Sequence, residues 1–199
     1  MASKIEPKIK GLAFIEILKW YVQTHGAKRI DQAVASMPGH LRAFISNPQS
    51  VTLGLLAGSW YPAELVQHIF RHMTTGLTMQ ATRQLAADAV KASVGTTLNG
   101  IYRTFIRLLV SPEMIAEHYQ RIWRLYHSTG ECKVFIHSPT HHEMRLTAWP
   151  GHDSFICLMN VYATKMILEL SGCTDVSTSL IRCIDKGDAH CAYEQRWSP

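Results

Sequence analysis

The stretch Cys132-Lys133-Val134-Phe135-Ile136-His137 marks the point at which the pattern of the chain changes. Its residues follow no helical stripe, and shortly afterwards Met144, Leu146 and Ala148 alternate with polar neighbours. Both segments therefore predict β-strands. The polar connection Ser138–His142 predicts a hairpin between them, because proline and small polar residues favour turns.

Upstream of this point the chain has the periodicity of helices. In the first helix, Leu12, Ile15, Leu18 and Val22 recur at three- and four-residue spacing. The segment Trp60-Tyr61-Pro62-Ala63-Glu64 predicts another helix start, since proline is tolerated in a first turn. Helices are predicted over about 30–36, 60–75, 79–94, 97–110 and 111–127.

Downstream, a helix is predicted from Asp153 or Ser154 to Gly172, followed by strands over Val176–Cys183 and Cys191–Trp197. With 199 residues the chain is long enough for one substantial core. The sequence thus predicts a single α+β domain over residues 1–199. Its helical part (1–130) would pack against an antiparallel sheet ordered strand-strand-helix-strand-strand (131–199).

The last predicted hairpin carries two cysteines, one on each side of its turn. If Gly187 is its centre, Cys183 lies opposite Cys191, and Ile181 lies opposite Tyr193. Cys157 lies in the first turns of the preceding helix, so the three sulfurs are predicted to converge at one end of the sheet.

Three thiols are candidate ligands for zinc, which normally takes four. The fourth ligand is left open by the sequence. The alternative is that the cysteines are small buried hydrophobes, which is common for free thiols. The candidates for the fourth ligand are Cys173, His190, His152, Asp185 and water.

Composition limits the classes of function. The net charge of +5 and the pI near 9.0 raise the question of nucleic acid, but the basic residues are scattered, so no nucleic-acid partner is predicted. No apolar run is long enough for a membrane span. Five cysteines, an odd number, indicate reduced thiols and a cytoplasmic protein rather than a disulfide framework.

No catalytic motif is found, so we assign no catalytic residue and favour binding over catalysis. The leading hypothesis is an apolar pocket for a hydrophobic small molecule, although aromatic residues at helical spacing also form ordinary core. The candidate pocket residues are Trp60, Tyr61, Phe70, Tyr102, Phe105 and Trp123.

Cys157, the helix that contains Tyr162-Ala163 and ends at Gly172, and the cysteine pair Cys183 and Cys191 resemble 4-vinyl reductase domains, which bind small molecules. In sensor members of that group the corresponding cysteines bind zinc together with a glutamate. The resemblance implies zinc at Cys157, Cys183 and Cys191. Leu180 stands at the position of the glutamate.

A broader resemblance, to a myxobacterial family of unassigned function, rests on four motifs: Gly58-Ser59-Trp60-Tyr61-Pro62, Gly100-Ile101-Tyr102-Arg103, Leu109-Val110-Ser111-Pro112-Glu113 and Tyr126-His127-Ser128-Thr129-Gly130. The order of elements is also similar to the fold shared by haem nitric-oxide-binding domains, 4-vinyl reductase domains and TRAPP subunits. It implies a sensory or carrier domain in signalling or regulation, or alternatively a homodimeric interaction subunit without a ligand.

Haem is not expected from the sequence. The Tyr-x-Ser-x-Arg propionate motif of the nitric-oxide family is absent, and His68 and His72, which share one helix face, only border an apolar stripe.

Overall fold

Helices occupy the first part of the chain and an antiparallel sheet the last part in the computed structural model, which describes residues 6–97 and 111–198. The predicted mixture of helix and sheet is confirmed, while the helix predicted over 97–110 falls almost entirely outside the described residues. The helices of the first part are α1 (Ile15–His25), α2 (Lys28–Ser36), α3 (Gly39–Arg42), α4 (Ala63–Thr74), α5 (Met79–Thr97) and α6 (Pro112–Tyr126).

A small antiparallel ribbon was not predicted. Its strands are β1 (Lys8–Lys10) and β2 (Trp60–Pro62), paired with Ile9 opposite Tyr61. The predicted helix start at Trp60 is therefore too early, because Pro62 is still extended and the Ala63 N–H donates to the carbonyl of Pro7 (2.9 Å). Strands of three residues are too short to show alternation in a sequence.

The main sheet has the spatial order β3-β4-β6-β5. The first hairpin is found, with Ser138 paired with His141 across its turn, but the predicted connection Ser138–His142 is too long, because His141 and His142 belong to the second strand. The strands are β3 (Glu131–Ser138), β4 (His141–Thr147), β5 (Thr174–Arg182) and β6 (Cys191–Ser198).

The predicted register of the second hairpin holds next to the turn, where Arg182 lies opposite Ala192, and is wrong by one residue beyond Ile181. Leu180, rather than Ile181, lies opposite Tyr193. A β-bulge between Leu180 and Arg182 causes the shift and leaves Ile181 47% exposed. A bulge adds one residue to one strand, and a pairing derived from a uniform hairpin cannot anticipate it.

Helix α7 (Ser154–Leu170) connects the two hairpins and packs against β5 and α5. The Asp153 carboxylate caps it by accepting hydrogen bonds from the N–H groups of Phe155 (2.9 Å) and Ile156 (3.4 Å). The chain leaves the helix through Gly172, which has a positive φ of 101°. Since Phe155 also packs edge-on against Phe70 of α4, with ring centres 5.4 Å apart, α7 links the helical part to the sheet.

Within the two described ranges, none of the helices is both long and apolar enough to cross a bilayer.

Candidate functional site

An apolar cavity of about 410 Å³ lies between the helices of the first part and α7. Its wall is formed by side chains of α1, α4, α5, α6 and α7. Leu12 and Leu125 line the cavity and are also exposed to solvent, which places its opening beside α6. The buried apolar residues of the wall include Ile9, Phe14, Ile17, Val66, Phe70, Val90, Ile115, Trp123, Ile156 and Met159.

The candidate pocket residues fall into three groups. Phe70 and Trp123 line the cavity. Trp60 and Tyr61 do not, because both belong to strand β2: Trp60 lies over the Lys10 ammonium, and the Tyr61 hydroxyl accepts a hydrogen bond from the Leu56 N–H (2.7 Å). Tyr102 and Phe105 lie outside the described residues.

His127, which the sequence did not single out, is the one imidazole among the lining residues that the structure describes. It is 7% exposed, and its Nδ1 atom has no hydrogen-bond partner. Burial lowers the pKa of His127 to about 3, so the ring is neutral at physiological pH. In the sequence it appeared only within the motif Tyr126–Gly130 and at the predicted end of α6, without a role in a pocket.

Aromatic rings hold His127 in place. The imidazole stacks on Trp123 with ring centres 3.7 Å apart and nearly parallel planes, and Trp149 packs edge-on against both rings at 5.1 Å. The Trp123 Nε1–H donates to the carbonyl of Thr129 (2.8 Å), so the wall is tied to the turn before β3. Gly130 lets this turn pass close to the indole, since a Cβ there would lie 2.9 Å from the Trp123 Nε1.

The wall contributed by α7 carries one further unpaired polar group. The Asn160 side chain lines the cavity, and its Nδ2 atom is buried without a hydrogen-bond partner. By contrast, the Tyr119 hydroxyl on α6 is hydrogen-bonded to the Thr164 hydroxyl (3.1 Å), and burial raises the pKa of Tyr119. The described part of the wall is therefore largely apolar, with two polar side chains, His127 and Asn160, that each carry a buried nitrogen without a hydrogen-bond partner.

A second cluster lies at the start of α7, where Cys157, Cys183 and Cys191 meet His152. One ligand atom from each of the four residues lies within 4.8 Å of every other. Cys157 is in the first turn of α7, Cys183 follows β5, Cys191 opens β6, and His152 precedes α7. All three cysteines are buried.

His152 is oriented by its neighbours. Its Nδ1 atom lies 3.1 Å from a carboxylate oxygen of Asp185, and its Nε2 atom lies 3.6 Å from the Cys183 sulfur. The Gln67 side-chain amide donates to the His152 carbonyl (2.8 Å), which fixes the backbone. The hydrogen bond to Cys191 and the negative charge of Asp185 raise the pKa of His152 above its usual range.

The sulfurs of Cys157 and Cys191 are 3.4 Å apart. Hydrogen bonds from Cys157 and His152 hold the pKa of Cys191 well below the usual thiol range, while the same contact with Cys191 raises that of Cys157. The two thiols are therefore expected to lose their first proton as a pair.

The structure brings together the three cysteines that the sequence singled out, in spite of the register error. Of the residues considered as a fourth ligand, His152 faces the sulfurs, and Asp185 contacts His152 rather than the thiols. Cys173 lies outside the cluster and contacts Ser171. Leu180 lies opposite Tyr193 in the sheet.

No protein-family model and no curated protein matches the chain. Solved structures of similar fold do. The Fe(II) unliganded H-NOX protein from K. algicida has a TM-score of 0.67 at 11% identity, with 96% of this chain and 97% of that chain covered. An oxygen-binding H-NOX domain related to soluble guanylate cyclases has a TM-score of 0.56 at 11% identity, with 96% of both chains covered.

A third match comes from work on haem redox potential and protein-induced porphyrin distortion. It has a TM-score of 0.57 at 11% identity, with 96% of this chain and 100% of that chain covered. At such low identity these matches show the fold alone. The fold is that of H-NOX domains, so the predicted resemblance to haem nitric-oxide-binding domains is supported, while the resemblances to 4-vinyl reductase, TRAPP and myxobacterial proteins are not shown.

The matches also correct the cofactors expected from the sequence. Haem was not expected, yet the matched structures are of H-NOX proteins, and one of them is a study of haem itself. None of these three supports zinc. At about a tenth of identical residues a short motif need not persist where a fold does, so the missing propionate motif does not argue against haem.

Proposed function

We propose that the chain is a small-molecule-binding sensory or carrier domain whose cavity takes a hydrophobic ligand. The observation that carries the proposal is the apolar cavity of about 410 Å³ with the neutral imidazole of His127 in its wall. Protein interiors are close-packed, and a void of this size costs stability unless something fills it. Ligand pockets are typically apolar clefts of about 300–1,000 Å³ with few polar groups.

Haem is the first ligand to test, because similar folds are those of H-NOX proteins. The apolar wall suits the ring of a haem, and the neutral imidazole of His127 is the group that would hold its iron. When bound, the iron would supply a centre for diatomic gases. No lysine or arginine is among the lining residues in 6–97 and 111–198, so nothing there pairs with the two propionates.

The other residues of the wall would position the ligand. Trp123 and Trp149 fix the plane of the His127 ring, which supports a ligand contact of defined direction. A largely hydrophobic molecule therefore fits this wall, and the ring of a haem is one candidate.

The test compares native with denaturing mass spectrometry of the purified full chain, followed by titration with haem and with the neutral fluorophore 1-aminoanthracene. Ala163→Phe places a ring in the cavity, and Ala35→Phe, on the exposed side of α2, is the matched control. We expect Ala163→Phe to weaken binding at least about tenfold, or about 1.4 kcal/mol, and Ala35→Phe to leave it unchanged.

The outcomes separate the possibilities. Binding of haem with an absorption spectrum that changes in His127→Phe would identify the iron-holding residue. Binding of the fluorophore but not of haem would support a different hydrophobic ligand. If neither binds and Ala163→Phe only raises the unfolding temperature, the cavity is a packing void and the proposal fails. The homodimer expected from the sequence stays a prediction. The native mass spectrum also measures the oligomeric state and so tests it.

A further inference from the structure

The distances within the cluster of His152, Cys157, Cys183 and Cys191 are those of ligands around a single ion. Metal–sulfur bonds of about 2.3 Å and metal–nitrogen bonds of about 2.0 Å in a tetrahedron place two sulfurs about 3.8 Å apart and a sulfur and a nitrogen about 3.5 Å apart. The separation of 3.6 Å between His152 and Cys183 matches the second value, and that of 3.4 Å between Cys157 and Cys191 is slightly shorter than the first. The whole set lies within 4.8 Å.

The surroundings of the ligands are also those of a metal centre. Metal-bound histidines usually donate their other ring N–H to a carboxylate, and here Asp185 lies 3.1 Å from the Nδ1 of His152. The loop after β5 is held as well, because the Cys183 N–H donates to the Asp188 carboxylate (2.8 Å). The Lys186 N–H in turn donates to the Cys183 carbonyl (2.9 Å).

Ordinary buried cysteines look different in the same molecule. Cys132 is buried away from the cluster and belongs to no group of three or more potential metal ligands among the described residues. The cluster instead gathers three sulfurs and an imidazole whose second nitrogen contacts a carboxylate. Packing alone gives no reason for an imidazole among thiols, whereas metal coordination does.

We infer that His152, Cys157, Cys183 and Cys191 form a closed site for one divalent transition-metal ion that prefers thiolate and imidazole ligands. The nitrogen comes from the loop before α7 and not from position 180, where leucine stands. All four positions are filled by protein, so the ion joins the start of α7 to the β5–β6 turn and leaves no open site for a substrate. Because Ile156 beside Cys157 lines the cavity, the ion also fixes one end of the cavity wall.

Cobalt(II) is the probe for this site, because thiolate ligation gives it strong charge-transfer absorption and tetrahedral geometry gives it intense visible bands. The full chain, purified under reducing conditions and freed of metal by a chelator, is titrated with cobalt(II). Metal content of the protein as purified is measured by elemental mass spectrometry. The variants are Cys183→Ser and His152→Gln, with Cys173→Ser as the matched control, since Cys173 is outside the cluster.

We expect one cobalt per chain with both kinds of absorption in the wild type and in Cys173→Ser. Cys183→Ser and His152→Gln should lose most of the charge-transfer intensity or weaken binding at least about tenfold. A folded wild-type chain that binds no cobalt, or variants that bind it with an unchanged spectrum, would overturn the inference.

A second measurement covers variants that do not fold. Pulsed alkylation of the wild type, read by mass spectrometry of peptides, should show that cobalt slows the reaction of Cys157, Cys183 and Cys191 but not of Cys173. Equal rates with and without metal at the three cluster cysteines would contradict the site. None of these readouts depends on the cavity, so the inference and the proposed function can fail separately.

Discussion

The cavity and the cysteine cluster lie along the same helix and differ in how their polar atoms are satisfied. In the cavity, His127 Nδ1 and Asn160 Nδ2 are buried without partners. In the cluster, His152 and the three thiols contact one another or a carboxylate. Buried polar groups without partners are costly, so we expect the wall of the cavity to lower the stability of the ligand-free protein and the cluster to raise it.

Trp149 stands between the two regions. Its ring packs against His127 at 5.1 Å and faces His152 at 6.2 Å. The residue before it, Ala148, has a positive φ of 48°, which is strained for a residue with a side chain. Strain of this kind persists only where the surroundings impose it, so Trp149 is held where it touches both sites.

The largest effect is expected from opening the cavity further. Phe70→Ala removes a buried ring that packs against Phe155, and we expect it to lower the free energy of unfolding by about 3–5 kcal/mol. Phe44→Ala, at an exposed ring, should cost less than about 1 kcal/mol. Denaturant unfolding of both variants is the measurement. Equal small losses would mean that the wall around the cavity is not packed as the structure shows.

The next effect contrasts two glycines that both have positive φ. Gly172→Ala should cost about 1–2 kcal/mol from the backbone alone, because nothing lies within 4 Å of the added methyl group. Gly130→Ala should cost about 2–4 kcal/mol, because the methyl group would also press on Trp123 and Trp149. Thermal unfolding gives the stabilities, and tryptophan fluorescence should shift in Gly130→Ala only. A larger loss for Gly172→Ala would contradict the close approach at the cavity wall.

Removal of a metal ion from the cysteine cluster should lower the stability of the fold around that cluster. If the cluster is saturated about a hundredfold above its dissociation constant, chelation lowers the free energy of unfolding by about 2.7 kcal/mol. Hydrogen exchange should then speed up at the N–H groups of Cys157 and Cys183, which are bonded to Asp153 and Asp188, and stay unchanged at the His127 N–H. Uniform loss of protection would mean that the two regions do not respond separately.

The sequence predicted the parts that depend on local pattern. The strands at Cys132 and Met144, the cap at Asp153 and the stop at Gly172 are all found, because alternation, capping and glycine each act over a few residues. The meeting of Cys157 with Cys183 and Cys191 followed from the order of these elements. It survived the bulge at Ile181, since the thiols lie beyond the shifted pairs.

The parts it missed depend on contacts between distant segments. The strands β1 and β2 are too short to show periodicity in the sequence. Because Trp60 and Tyr61 belong to β2, they do not line the cavity as predicted. His127 gained its role from burial between Trp123 and Trp149, which no spacing reveals. His152 was one of several candidates for a fourth ligand, and only the folded loop selects it.

A substitution of His127 is expected to raise the free energy of unfolding, by a smaller amount than the losses above. His127→Phe keeps a ring stacked on Trp123 and removes the unpaired Nδ1, so the ligand-free protein should become more stable by about 1 kcal/mol. The same variant should bind haem more weakly. A residue that binds a ligand often lowers the stability of the ligand-free protein, and its removal then raises that stability. A variant that is less stable without ligand would show that the imidazole has a partner in solution.

The smallest effect is a dependence on pH from His142, which lies in β4 outside both regions. Its side chain is buried edge-on against Trp197, and its Nε2 atom has no partner. Burial lowers the pKa of His142, the nearby Glu113 opposes this, and His141 and His137 reinforce it. His142 therefore takes up a proton near pH 6.5 in the unfolded chain but only at lower pH in the folded chain. The contribution of His142 to the free energy of unfolding is fully present above pH 6.5 and is lost as the pH falls toward the lowered pKa of the folded state.

Between pH 7 and pH 6 the loss from this one group should stay below about 1 kcal/mol. His142→Phe should flatten the profile in this range, whereas Phe44→Ala, which changes an exposed ring and no titratable group, should not. Urea midpoints of the three proteins at several pH values make the comparison. Parallel profiles of stability against pH for the wild type and His142→Phe would mean that His142 is already protonated or hydrated in the folded protein. The missing partner of its Nε2 atom would then have no effect on stability.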